Sequence, residues 1–199
     1  RSGGNARLFQ PLSFLSFQWD IKPNTTLHRM KEMHLLFTLQ DIPYHPVKRS
    51  VSMLLAEFMV HTLNNEAKNT DLYNYIEHSI QWYDAATDGY ANFHLVFLLK
   101  LARFLGFAPN TEDYTEGYCF DLTRGCFTPS EIHVDTLLCS TDATLLYHLS
   151  TTNYEAMSTI AMSRHDRARL IRYLAAYYEL HTPAFPSIKS LEILQEVME

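Results

Sequence analysis

Apolar and polar positions change their period once along this chain. Residues 8–19, Leu-Phe-Gln-Pro-Leu-Ser-Phe-Leu-Ser-Phe-Gln-Trp, are dense in aromatics and partly alternate. That pattern predicts a strand, with Pro11 near its start or on an edge. Lys22-Pro23-Asn24-Thr25 is a turn signal, and Thr26 to Phe37 is expected to pair back through it as a second strand. Two strands cannot form a stable sheet alone. They are expected to be the end of a small β domain, residues 1–40, that begins upstream of Arg1. The opening Arg1-Ser2-Gly3-Gly4-Asn5-Ala6-Arg7, without an initiator Met or an apolar signal core, is expected to be a cut inside a longer chain.

From Tyr44 onward the period becomes helical. Pro46 suits a first turn, and Val47, Val51, Leu54, Leu55, Phe58, Met59 and Leu63 follow 3.6-residue spacing towards Asn64-Asn65. Asn69 or Thr70 can cap a second helix carrying Leu72, Tyr73, Ile76, Ile80 and Tyr83, broken at Asp88-Gly89. Ala91 to Leu105 is apolar nearly all round, which predicts a buried central helix. Lys100 and Arg103 are its only full charges, and their spacing puts them on one stripe. Gly106 fits its C-terminal cap, and Pro109 stops continuation.

A short hairpin is expected over Tyr118–Asp121 and Arg124–Phe127, and Thr128-Pro129-Ser130-Glu131 reads as a capping box opening a helix. Short helices are expected over 141–150 and 153–160. Ser163 to Leu180 predicts a longer helix with Leu170, Ile171, Leu174, Tyr177 and Tyr178 inward. Ser190 can cap a last helix with Leu191, Ile193, Leu194 and Val197.

Composition narrows the class. The 199 residues are 47% hydrophobic and 13% aromatic, which excludes a disordered chain. No run of about 18 apolar residues exists, so no membrane-spanning helix is expected. Three cysteines, an odd number, fit a reducing, cytoplasmic compartment.

The net charge of −6 hides an asymmetry. Residues 1–50 hold seven Lys/Arg against three acidic residues, and the remainder holds nine against nineteen. A basic head on an acidic body points to an anionic partner at one end. The body has one basic cluster of its own: Arg164, Arg167, Arg169 and Arg172.

Little here looks catalytic. Ten histidines include no His-Glu-x-x-His and no close pair, and His61, His78, His94 and His148 fall on separate expected helices. Cys119, Cys126 and Cys139 lack the Cys-x(2–4)-Cys spacing of structural zinc. There is no phosphate loop and no nucleophile elbow. A binding protein is favoured. The alternative is a helical metal-dependent hydrolase assembled from scattered His and carboxylates.

Longer strings carry a resemblance. Leu8-Phe9-Gln10-Pro11-Leu12, the run from Ala91 to Phe107 with Pro109-Asn110, then Asp113-Tyr114, Tyr118-Cys119-Phe120-Asp121-Leu122 and Lys189-Ser190-Leu191-Glu192 resemble the RecO family of DNA repair proteins in its Bacteroidetes form. The likeness spans essentially the whole chain. It implies a mainly α fold: a helical C-terminal domain, residues 41–199, preceded by the last strands of an N-terminal OB-fold β-barrel. It also implies a recombination mediator rather than an enzyme, with no catalytic residue and no cofactor. The implied partners are single- and double-stranded DNA, the C-terminal tail of single-stranded-DNA-binding protein, RecR and RecF, with no membrane. The implied role is strand annealing and recombinase loading. Many family members hold zinc through four cysteines after the central helix. This chain departs from that pattern, so no metal is expected, and the hairpin must be held by packing instead.

Two surfaces follow from the resemblance. DNA is expected along Lys22, Arg29, Lys31, Lys48, Arg49, Arg164, Arg167, Arg169 and Arg172, with Phe17 or Trp19 as a stacking platform. The acidic, Phe-ending protein tail is expected in an apolar pocket marked by Lys100, Arg103 and Phe104.

Overall fold

The computed structural model describes residues 8–20, 29–64, 67–129, 136–138 and 140–198. β1 (Leu15–Asp20) and β2 (Arg29–Leu35) form an antiparallel pair running from Leu15↔Leu35 to Asp20↔Arg29. The register shifts between Ser16 and Gln18, opposite Glu32, whose φ is 51°. A residue with positive φ in a strand marks a bulge that raises local twist. The turn expected at 22–25 lies outside the described residues.

The helices are α1 (Pro46–Leu63), α2 (Thr70–Ala85), α3 (Phe93–Phe104), α4 (Ser140–Thr151), α5 (Arg164–His181) and α6 (Ser190–Met198). Their starts follow capping chemistry. His45 Nδ1 accepts from Lys48 N–H ahead of α1, with Pro46 in its first turn. Asn69, rather than Thr70, caps α2 through Leu72 N–H. Ser163 and Asp166 form a reciprocal capping box on α5. The expected Ser190 cap of α6 takes another form: Glu57 of α1 accepts from the backbone N–H groups of Lys189 and Ser190 at 2.9 Å each, and from the Ser190 hydroxyl. A carboxylate there offsets the positive end of the α6 dipole and ties the last helix to the first. Burial pushes the Glu57 carboxyl up, yet the Ser190 hydroxyl and the two N–H donors bring it net below its ordinary value.

α3 is the axis of the core. Every residue from Phe93 to Leu99 is buried, and α1, α2, α4 and α5 all contact it. It begins from a 3-10 turn, Tyr90–Asn92, and ends where Phe107 N–H reaches back to Ala102 C=O at 3.0 Å, with Gly106 at φ +85°. That back-bond with a left-handed glycine satisfies carbonyls the helix end would leave open. Tyr83 and Phe93 stack with ring centroids 4.1 Å apart, fixing α2 against α3. The expected inward position of Tyr73 is corrected: it is 45% exposed, and its ring edge meets Phe14 ahead of β1.

The hairpin lies between α3 and α4. β3 (Cys119–Asp121) pairs with β4 (Cys126–Thr128) on one side and β5 (Leu137–Leu138) on the other, all antiparallel. Phe120 and Phe127 meet edge to face at 5.0 Å, and they pack against Tyr177, Tyr114 and Tyr147. Gly125 sits at φ +65°, and a Cβ there would stand 2.8 Å from Tyr177 Oη. Aromatic packing therefore holds this loop. The helix expected to open at Thr128-Pro129-Ser130-Glu131 falls mostly on residues 130–135, outside the described residues, while Thr128 itself ends β4.

The helix expected over 153–160 is corrected to a single 3-10 turn, Met157–Thr159. Two of its carbonyls are claimed from elsewhere. Asn92 Nδ2 donates to Met157 C=O at 3.1 Å and to Ile160 C=O at 3.0 Å, fastening the segment to the start of α3.

Candidate functional site: a cationic groove and a divided basic surface

Lys100, Arg103 and Phe104 come together. The last two turns of α3 place them on one wall of an open groove of about 800 Å³. Tyr75 of α2 lies beneath, Ala108, Pro109 and Thr111 follow α3, and Ser150, Thr151 and Thr152 at the end of α4 close the other side. The floor is stiff. Tyr75 stacks on Phe104 at 5.0 Å, and its hydroxyl donates to Phe97 C=O at 2.8 Å. The Tyr154 hydroxyl lies 3.0 Å from that of Tyr75 and donates to Ser79 Oγ, which donates to Tyr75 C=O. Burial pushes the Tyr154 phenol up to about 12.

The Lys100 ammonium stands 5.0 Å from the Tyr154 ring centroid. Partial burial lowers its pKa, and nearby Glu155 only partly reverses this. A cation short of solvent gains from an incoming carboxylate. Phe104 is 37% exposed at the same rim. The groove thus joins two cations to an exposed aromatic edge, and no carboxylate, histidine or cysteine is among the residues that line it. Tyr75 and residues 150–152 were not singled out in the sequence. Tyr75 lies three residues after Leu72 and four before Ser79, on the inward stripe of α2, and that spacing was a usable signal.

The expected DNA track divides. Lys48 is corrected: it is fully buried. Its ammonium pairs with Asp41 at 2.7 Å, donates to Ala86 C=O at 2.6 Å and Asp84 C=O at 3.1 Å, and lies over the Tyr83 and Tyr90 rings. Asp84 in turn accepts from Gln40, Asp41 and Ile42 N–H at 2.7–2.9 Å. Lys48 thus clamps the strand-to-helix connection onto the end of α2 and cannot reach a phosphate.

Arg169 is also occupied. It grips buried Asp142 in two bonds, 2.7 and 2.6 Å, and Asp166 at 2.8 Å. Hydrogen bonds to Asp142 hold its guanidinium protonated well above the ordinary range. Half-buried Arg167 donates to Met162 C=O at 2.8 Å. Arg164 and Arg172 are exposed, as are Arg29, Lys31 and Arg49. Lys31 pairs with Asp20 at 2.8 Å, and this bond lowers the Asp20 carboxyl. Trp19 is 57% exposed and meets Phe17 edge to face at 5.1 Å. Lys22 lies outside the described residues.

Among the described residues, no three His, Cys, Asp or Glu side chains gather where they could hold a metal ion. Among those residues, no helix is long and apolar enough to cross a membrane.

A strand pair leads into a helical body that carries a cationic groove and exposed basic side chains, the architecture of a two-part protein without an evident catalytic centre among the described residues. The family model described as "Recombination protein O C terminal" matches residues 46–132. The DNA repair protein RecO of Phocaeicola vulgatus is 43% identical over 190 residues, covering 96% of this chain and 79% of that protein. RecO of Bacteroides fragilis is 42% identical over 193 residues, covering 96% and 80%, and RecO of Porphyromonas gingivalis 31% over 202, covering 100% and 82%. The chain belongs to the RecO family. Its role is therefore in DNA repair and recombination, as a mediator rather than an enzyme, and the hydrolase alternative is set aside.

Proposed function

We propose that this chain binds single- and double-stranded DNA, and captures the acidic C-terminal tail of single-stranded-DNA-binding protein. In this reading it promotes annealing of the coated strands, and with RecR and RecF it loads recombinase in the cytoplasm. In the same reading residues 1–40 belong to an OB-fold and 41–199 form the helical domain. The observation that carries the reading is the groove: Lys100, Arg103 and Phe104 share one wall around an aromatic floor. A terminal Phe would enter over Tyr75 and Phe104. Its carboxylate would meet Lys100, whose desolvation it offsets, and the upstream acidic residues would meet Arg103. DNA would run over Arg29, Lys31, Arg49, Arg164 and Arg172, with Lys22 as a further candidate and Lys48 removed from the set.

The test is fluorescence anisotropy with the acidic tail peptide of the cognate single-stranded-DNA-binding protein. Binding should weaken with salt. Lys100→Ala and Arg103→Ala should each weaken it by about tenfold, as expected for a charge-assisted contact. Unchanged affinity in the folded double variant would sink the placement of the tail.

A further inference from the structure

A second cleft, of about 400 Å³, opens where the strand pair meets α1. Its volume lies in the range of roughly 300–1,000 Å³ typical of small-molecule sites. Leu39 and Ile42 make a buried apolar base, and Pro11 and Phe37 contribute walls. Phe37 is held in place by stacking on Phe14 at 4.8 Å.

Three lining residues are anomalous for a mere surface dent. Ser52 is 1% exposed, and its hydroxyl has no hydrogen-bond partner. On the same helix, Ser50 and Thr62 satisfy theirs on carbonyls four residues back, at 3.0 and 2.9 Å. A buried hydroxyl left open carries a cost that a ligand's polar edge would remove. Tyr44 is 81% exposed, a large ring left in water at the mouth of the cleft. Arg49 is exposed at the same cleft, and among the described residues its guanidinium has no ion-pair or hydrogen-bond partner.

We propose that this cleft takes one unstacked nucleobase of single-stranded DNA, with Tyr44 on the base face, Ser52 Oγ on the base edge and Arg49 on the flanking phosphate. An aromatic face, one polar contact and one cation are what a single nucleotide requires. All of the lining but Ser52 comes from the first fifty residues, whose sequence holds seven Lys/Arg, with Lys48 among them buried on Asp41, against three acidic residues. A polyanion is thereby drawn to this end and away from the acidic body. The inference rests on the DNA-binding reading and adds to it a fixed point where one base leaves the stack.

The experiment has two arms on the full chain. In the first, a labelled oligothymidine strand is titrated into wild type, Tyr44→Ala, Ser52→Ala and Arg49→Gln, each checked for an unchanged thermal midpoint. Tyr44→Ala should lose about tenfold or more in affinity, the usual worth of one stacked base. Arg49→Gln should lower the salt-dependence slope by about one phosphate contact. In the second arm, thymidine monophosphate and 2-deoxyribose 5-phosphate are titrated separately and followed by backbone amide shifts. Shifts at Tyr44, Arg49 and Ser52 with the nucleotide, and not with the sugar phosphate, support the pocket. Equal shifts with both probes overturn it in favour of a phosphate contact alone. Normal oligonucleotide binding by folded Tyr44→Ala and Ser52→Ala overturns the pocket while leaving DNA binding intact. Failure of wild type to bind the oligonucleotide overturns both.

Discussion

Mild acid should destabilise this protein through His94 before its carboxylates take part. His94 lies on the central helix, 2% exposed. Burial, with the Arg167 guanidinium adding repulsion, holds its imidazole down to about 3, against 6.5 for an ordinary histidine. A depressed folded pKa means that the unfolded chain takes the proton first. The contribution is complete above about pH 6.5 and is lost as pH falls through that value, at up to about 1.4 kcal/mol per unit. At about pH 5 the loss amounts to about 2 kcal/mol, and it continues until the folded state protonates as well. Glu57, Asp41 and Asp166 have lowered folded values and act at lower pH, below their ordinary carboxylate range. The assay is urea unfolding of wild type and His94→Leu at about pH 5, 6 and 7.5 at one ionic strength. Wild type should lose about 2 kcal/mol more than the variant between the extremes. Equal losses in both proteins would refute the assignment to His94.

Other perturbations separate structural cations from binding ones. Lys48→Met should cost about 2–4 kcal/mol, because it leaves Asp84 and Ala86 carbonyls unmet in a buried site. Thermal unfolding reads that loss, while the salt slope of DNA binding by the folded variant should not change. Arg169→Ala strands Asp142, which is 1% exposed, and should cost about 2–4 kcal/mol by chemical denaturation. Arg169→Lys should rescue little, since an ammonium cannot reproduce the two-bond grip. Gly125→Ala should cost about 1–3 kcal/mol, combining a positive φ with a Cβ pressed on Tyr177 Oη, and hydrogen exchange should show the hairpin opening first.

Much of the fold was legible because its signals are local. The starts of α1, α2 and α5 lay in Pro46, Asn69 and Ser163, which act on groups within three residues of themselves. The burial of α3 lay in an apolar pattern broken by charge only at Lys100 and Arg103 near its end, and that end lay in Gly106. The shared stripe of Lys100 and Arg103 followed from helical spacing, and the family from strings spread along the whole chain. Arrangements between distant residues were not legible. Lys48 resembled a surface cation, but residues 36 and 38 positions away supply the carbonyls that bury it. Arg169 counted as one of four basic residues until the fold brought Asp142 against it across 27 positions. The segment 153–160 had helical composition, yet Asn92 takes two of its carbonyls. The opposite wall of the cationic groove comes from the end of α4, which no spacing rule links to α3. Periodicity and capping work over about four residues and can be read from order alone. Charge compensation and carbonyl pairing act through space, and which groups meet is decided only when the helices pack.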